Sequence, residues 1–123
     1  MIASLALAAA LQTAAIDWNG LAPLPFRAPP IITPEMRAFV QREAVSRKCP
    51  LLKPGTLDVE VAVLVDEANG IRTTVPRAIR CPTVEQYAAA LVASFARNNL
   101  LPRSGTGTGQ IWYRAHLNFT WTP

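Results

Sequence analysis

The ten residues LDVEVAVLVD, Leu57 to Asp66, constrain this chain more than any other stretch. Leu57, Val59, Val61, Val63 and Val65 recur at every second position, with Asp58, Glu60 and Asp66 on the alternate register. A strand throws successive side chains to opposite faces, so this period of two gathers the valines on one face and the acids on the other. A helix would scatter the same valines around its circumference, and β-branched side chains lose rotamer freedom there. The chain must therefore build a sheet with one covered face, and another apolar element has to cover it.

The neighbouring residues supply the rest of that architecture. Asp66-Glu67-Ala68-Asn69-Gly70 reads as a hairpin turn, because Asn-Gly readily adopts the positive φ that tight hairpins need. The return strand, IRTTVPRAIRC, contains Pro76, which cannot donate to a ladder and so suits an edge or a bulge. Thr83 then opens a helix, with Pro82 before it and Gln86 placed to complete a capping box on Thr83. Its stripe of Val84, Tyr87, Ala88, Leu91, Val92 and Phe95 follows the 3.6-residue period of a core-facing helix. Asn98-Asn99 and Pro102 stop it.

The last strand, IWYRAHLNFTW, places Ile111, Tyr113, Ala115, Leu117, Phe119 and Trp121 on one face. Trp112, Arg114, His116, Asn118 and Thr120 take the other. An earlier helix begins at Thr33, an N-cap followed by Pro34 at the first helical position. Its apolar face is Met36, Phe39, Val40 and Ala44, and Cys49-Pro50 ends it. The expected fold is thus α+β, a small three-stranded antiparallel sheet with one helix packed on it (ββαβ), preceded by an additional N-terminal helix. The Pro-containing strand takes one edge, the valine strand the centre and the last strand the other edge. The last strand's outer backbone would then stand unpaired.

At 123 residues the chain has room for one domain. Residues 1–15 read as an export signal, an apolar stretch from Ile2 to Ala15 with small residues at its end. Cleavage falls after Ala10 or Ala15. A mature helix and a membrane anchor are the rival readings, and the run is short of the ~20 apolar residues a span needs. Residues 16–32, with Pro23, Pro25, Pro29 and Pro30, read as a Pro-rich linker, and 33–123 as the folded domain. No stable membrane span is expected.

Cys49 and Cys81 are the two cysteines, and an even count in a small exported domain favours a disulfide. If hairpin partners sum to about 136, Cys81 lies opposite Gly55, close to Cys49. A bridge there would close a loop worth on the order of 3–4 kcal/mol in the chain-entropy model. Two cysteines and the single His116 do not complete a four-ligand zinc site.

The net charge of +4 comes from twelve basic residues, ten of them arginines spread along the chain. A nucleic-acid interface would gather them on one face, so no nucleic-acid partner is expected. The run SGTGTG, Ser104 to Gly109, is followed by a strand and not by the helix a phosphate loop needs. It reads as a flexible entry to that strand. His116 stands alone on a polar strand face, Asp58 and Glu60 are accounted for by alternation, and Ser46, Ser94 and Ser104 lack a nucleophile elbow. Neither an enzyme nor a cofactor is expected.

Gly55, the alternating LDVEVAVLVD, the DEANG turn, the amphipathic VEQYAAALVASFARNN, the LLP stop, the SGTGTG break and the alternating IWYRAHLNFTW succeed one another in a familiar order. From Gly55 to Trp121 the chain resembles the C-terminal domain of the TonB family, the energy transducers of Gram-negative outer-membrane transport. It lacks the family's Tyr-Pro before the first strand and its long Pro-rich span, and the cysteine pair is extra. The resemblance implies a periplasmic binding module that supports transport. Its last strand would pair with an extended segment of an outer-membrane β-barrel transporter, through Ile111, Trp112, Tyr113, Arg114, Ala115, His116, Leu117 and Asn118. The alternative is an exported structural or assembly protein that pairs with another copy of itself along the same edge.

Overall fold

The computed structural model describes residues 16–102 and 109–122 of the chain. The expected export signal and most of the SGTGTG run lie outside them. The described elements are strand β1 (Ala22–Pro23), helix α1 (Pro34–Ser46), strands β2 (Thr56–Val65) and β3 (Ile71–Pro76), helix α2 (Pro82–Ala96) and strand β4 (Ile111–Thr120), with a short 3-10 turn at Trp18–Gly20. The class is α+β, with both helices on one face of the sheet. Among the described residues no helix is long and apolar enough to cross a membrane.

The valine strand is central, as its pattern requires. β2 pairs antiparallel with β4 along its whole length, from Thr56↔Thr120 to Val65↔Ile111. Val59, Val61 and Val63 are fully buried, facing the same side as Ala115, Leu117 and Phe119. α2 covers β2 and β3, contributing the buried Val84, Ala88 and Val92 together with Ala89 and Ala96. Tyr87, Leu91 and Phe95 from the expected stripe are half-buried against the same core. α1 packs over β4 and against α2, where the Phe39 and Tyr87 rings lie 4.3 Å apart.

Four features correct the sequence expectation. The sheet has four strands and is mixed, in the order β1-β4-β2-β3, because the N-terminal segment adds a parallel strand to the outer side of β4. Residues 16–32 are therefore not a free linker. Leu24 inserts into the core, and extended Pro-rich chain meets the geometry of an edge strand, where Pro23 needs no donor. Second, α2 starts two residues early, with Cys81 in place of Thr83 as N-cap and Pro82 at the first helical position that proline prefers. The expected Thr83–Gln86 capping box gives way to Glu85, whose carboxylate accepts the amides of Ile79 (3.0 Å) and Cys81 (2.9 Å).

Third, β3 stops at Pro76, and its partners sum to 137 from Val61↔Pro76 to Leu64↔Thr73, with an irregularity at Leu64/Val65. Cys81 therefore has no strand partner at Gly55. Fourth, the bridge nevertheless forms by another route. Cys49 follows α1 and Cys81 precedes α2, so the disulfide joins the two helix ends, with the Cα atoms 5.3 Å apart.

The expected helix start at Thr33 holds: its hydroxyl accepts the Met36 amide at 3.3 Å. So does the turn. Asn69 adopts φ 64°, and Asp66 Oδ1 accepts the amides of Ala68 and Gly70.

Candidate partner-binding edge

Within an antiparallel ladder, alternate residues direct both main-chain groups to the same neighbour. On β4 the assignment follows from two bonds. Trp121 N–H donates to Gly55 O at the foot of β2 (2.8 Å), whereas Arg114 O accepts from Leu24 N on the opposite side (2.8 Å). The odd residues of β4 thus face β2, and Trp112, Arg114, His116, Asn118 and Thr120 present their main chain to the outer edge. β1 occupies that edge at Tyr113 and Arg114. Beyond Leu24 the chain turns away, bridging Phe26 to Leu100 near the end of α2. Among the described residues no strand pairs with the outer side of β4 from His116 to Thr120.

The segment leading into β1 also crosses the sheet face remote from the helices. Trp18 O accepts from Arg114 Nη1 (3.1 Å), and the Arg77 guanidinium lies 5.5 Å from the Trp18 ring centroid. Arg114 belongs to β4, and Arg77 follows β3 and donates its amide to Glu60 O. Ala62 pairs with Arg114 and Val75 between these contacts and is fully buried, although it faces away from the helices. A cation over an indole contributes about 0.5–1 kcal/mol at a surface site of this kind. Together these contacts strap residues 18–24 across the sheet.

The uncovered half of β4 carries a row of polar side chains. Asp58 Oδ1 lies 2.9 Å from His116 Nε2 and accepts from Asn118 Nδ2 at 2.8 Å. Asn118 also donates to Thr56 Oγ1 (3.0 Å) and accepts from Thr120 Oγ1 (2.7 Å). Glu60 turns instead to Arg77, 3.1 Å away. The two carboxylates are therefore engaged separately, each by a cross-strand partner. His116 and Asp58 are about half exposed, so their contact contributes little.

The eight sequence-predicted residues separate into four pairs. Ile111 and Trp112 are half-buried at the start of the strand, and Tyr113 and Arg114 lie under β1. Ala115 and Leu117 are buried, with their main chain on the β2 side. His116 and Asn118 remain on the open edge, joined by Thr120, which the sequence reading left out. The expected fully unpaired edge is thus halved and shifted toward the C-terminal end of β4. The signal for the cover was present in Leu24 and Phe26, two apolar residues at strand spacing within the Pro-rich segment.

This is a small α+β domain whose most distinctive surface is a half-covered sheet edge. No family model matches the chain, and no curated protein or solved structure is found similar to it.

Proposed function

We propose that the chain is an exported binding module that takes up an extended segment of a partner along the outer edge of β4. The observation that carries this reading is the main chain of His116, Asn118 and Thr120, directed outward with no strand beside it among the described residues. Such an edge is a template for strand addition, in which main-chain bonds give affinity and alternate side chains give selectivity. His116, Asn118 and Thr120 form the selective row on one face of the added strand.

The resemblance of the sequence to the TonB C-terminal domain supports a periplasmic location for this module and a β-barrel transporter of the outer membrane as its partner. The disulfide is compatible with that compartment.

The test exploits the direction of one amide. His116 N–H points outward and serves no ladder bond inside the fold, so His116→Pro removes a donor for the partner alone. Immobilised wild-type protein should retain a β-barrel protein from solubilised outer membranes. His116→Ala should retain it as well, and folded His116→Pro should not. Retention by His116→Pro would refute strand addition at this edge. Recovery of the chain itself in place of a barrel protein would refute the transporter assignment and favour self-pairing.

A further inference from the structure

A second open edge lies on the other side of the sheet. β3 pairs with β2 from Val65 back to Val61, and its continuation makes one more bond, Arg77 N–H to Glu60 O (2.8 Å). The first part of β2 then runs on without it, and there Lys53 already bridges Thr56. Because Glu60 O faces β3, the alternation of main-chain groups turns Asp58 N–H and C=O the same way. Among the described residues no backbone bond reaches Asp58 from that side.

The space is a groove of about 630 Å³ between β2 and the two loops that carry the cysteines. Leu51 and Leu52 line one wall, Ile79 and Arg80 the other, and Leu57 and Asp58 the floor. Leu52 is fully exposed. The walls are fixed. The Cys49–Cys81 bridge ties together the loops they belong to, and Glu85 holds the Ile79 and Cys81 amides.

Charge selects the occupant. Lys53 and Arg80 border the groove, and neither makes an ion pair among the described residues. Its one carboxylate, Asp58, is already engaged by His116 and Asn118. The groove thus presents two cations, an apolar wall and the free main-chain groups of Asp58.

We propose that it receives an extended acidic peptide of another protein, which pairs with β2 at Asp58, between the Arg77–Glu60 bond and the Lys53–Thr56 bridge. An apolar side chain of that peptide packs on Leu51, Leu52 and Ile79, and its carboxylates meet Lys53 and Arg80. This site uses the opposite backbone edge of the sheet from the β4 site, although Asn118 borders the groove and bonds to Asp58.

The experiment titrates isotope-labelled, oxidised protein with two capped pentapeptides, Glu-Leu-Glu-Val-Glu and its counterpart with Lys for each Glu. The acidic peptide should shift the amides of Leu57, Asp58, Ile79 and Arg80 saturably. It should bind about tenfold more tightly than the basic one, as two exposed ion pairs allow. Lys53→Glu with Arg80→Glu should reverse the preference. Leu52→Ser, at a fully exposed position where folding is not threatened, should weaken binding of both peptides. Absence of saturable shifts, equal affinity for the two peptides, or shifts confined to His116–Thr120 would overturn the proposal. Concentration-dependent shifts of the same groove amides without peptide would overturn it in favour of a second copy.

Discussion

Leu24 donates its amide to the carbonyl of Arg114 at 2.8 Å while its side chain sits in the core, 6% exposed. One residue of a Pro-rich segment thus fixes both the fourth strand and the limit of the open edge. Leu24→Ala should cost about 2–4 kcal/mol, as buried leucines do. Ile31→Ala, at a position 76% exposed in the same segment, should change stability by less than about 0.5 kcal/mol. Urea denaturation measures both. Equal midpoints for the two variants would mean that residues 16–32 are a tether after all.

The direction of main-chain groups on β4 makes adjacent prolines unequal. His116→Pro loses no internal ladder bond, whereas Leu117→Pro loses one to β2 and disturbs a side chain 2% exposed. Circular dichroism should find the first variant folded and the second largely unfolded. The reverse ranking would invert the assignment of the outer edge.

Glu85, not Thr83, caps α2. Glu85→Ala should therefore cost about 1–2 kcal/mol, the usual loss when a cap and its charge-assisted bonds are removed. Thr83→Ala should be close to neutral by the same denaturation measurement. A larger loss at Thr83 would restore the capping box.

The bridge between Cys49 and Cys81 spans 32 positions. Replacing both cysteines with serine should destabilise by on the order of 3–4 kcal/mol in the chain-entropy model. Thiol labelling of unreduced, denatured protein should find no free cysteine. Two labelled thiols in protein from an oxidising compartment would contradict the bridge.

Regular periods were legible in the sequence because local geometry imposes them. The valine alternation of β2, the face division of β4 and the Thr33 cap each depend on residues that are neighbours in the chain. The α2 stripe identified the covering helix, but it could not rank its members: Leu91 is half-buried while Ala89 and Ala96 pack into the core. Depth depends on what arrives from elsewhere, here α1 and the disulfide.

β1 was only faintly legible, through Leu24 and Phe26, for the same reason. Two residues carry no period, and their partners Tyr113 and Arg114 stand near the far end of the chain. For the candidate edge, the sequence located the strand and its outward side chains. Leu24 and Phe26 signalled a covering segment, but not how much of the backbone it would occupy.

The pairing of Thr56 with Thr120 and of Ala22 with Tyr113 has a kinetic consequence. Neither ladder of β4 can close before that strand exists, so most of the core waits until β4 has been made. Until then the valine strand has β3 alone as a partner, and its other edge is free to associate wrongly. Long loops must close before those contacts contribute, which slows folding and prolongs exposure of apolar surface. A chain truncated before Ile111 should therefore collapse without a native core, whatever helix and hairpin it retains. Its full-length counterpart should refold more slowly than an all-helical domain of equal size.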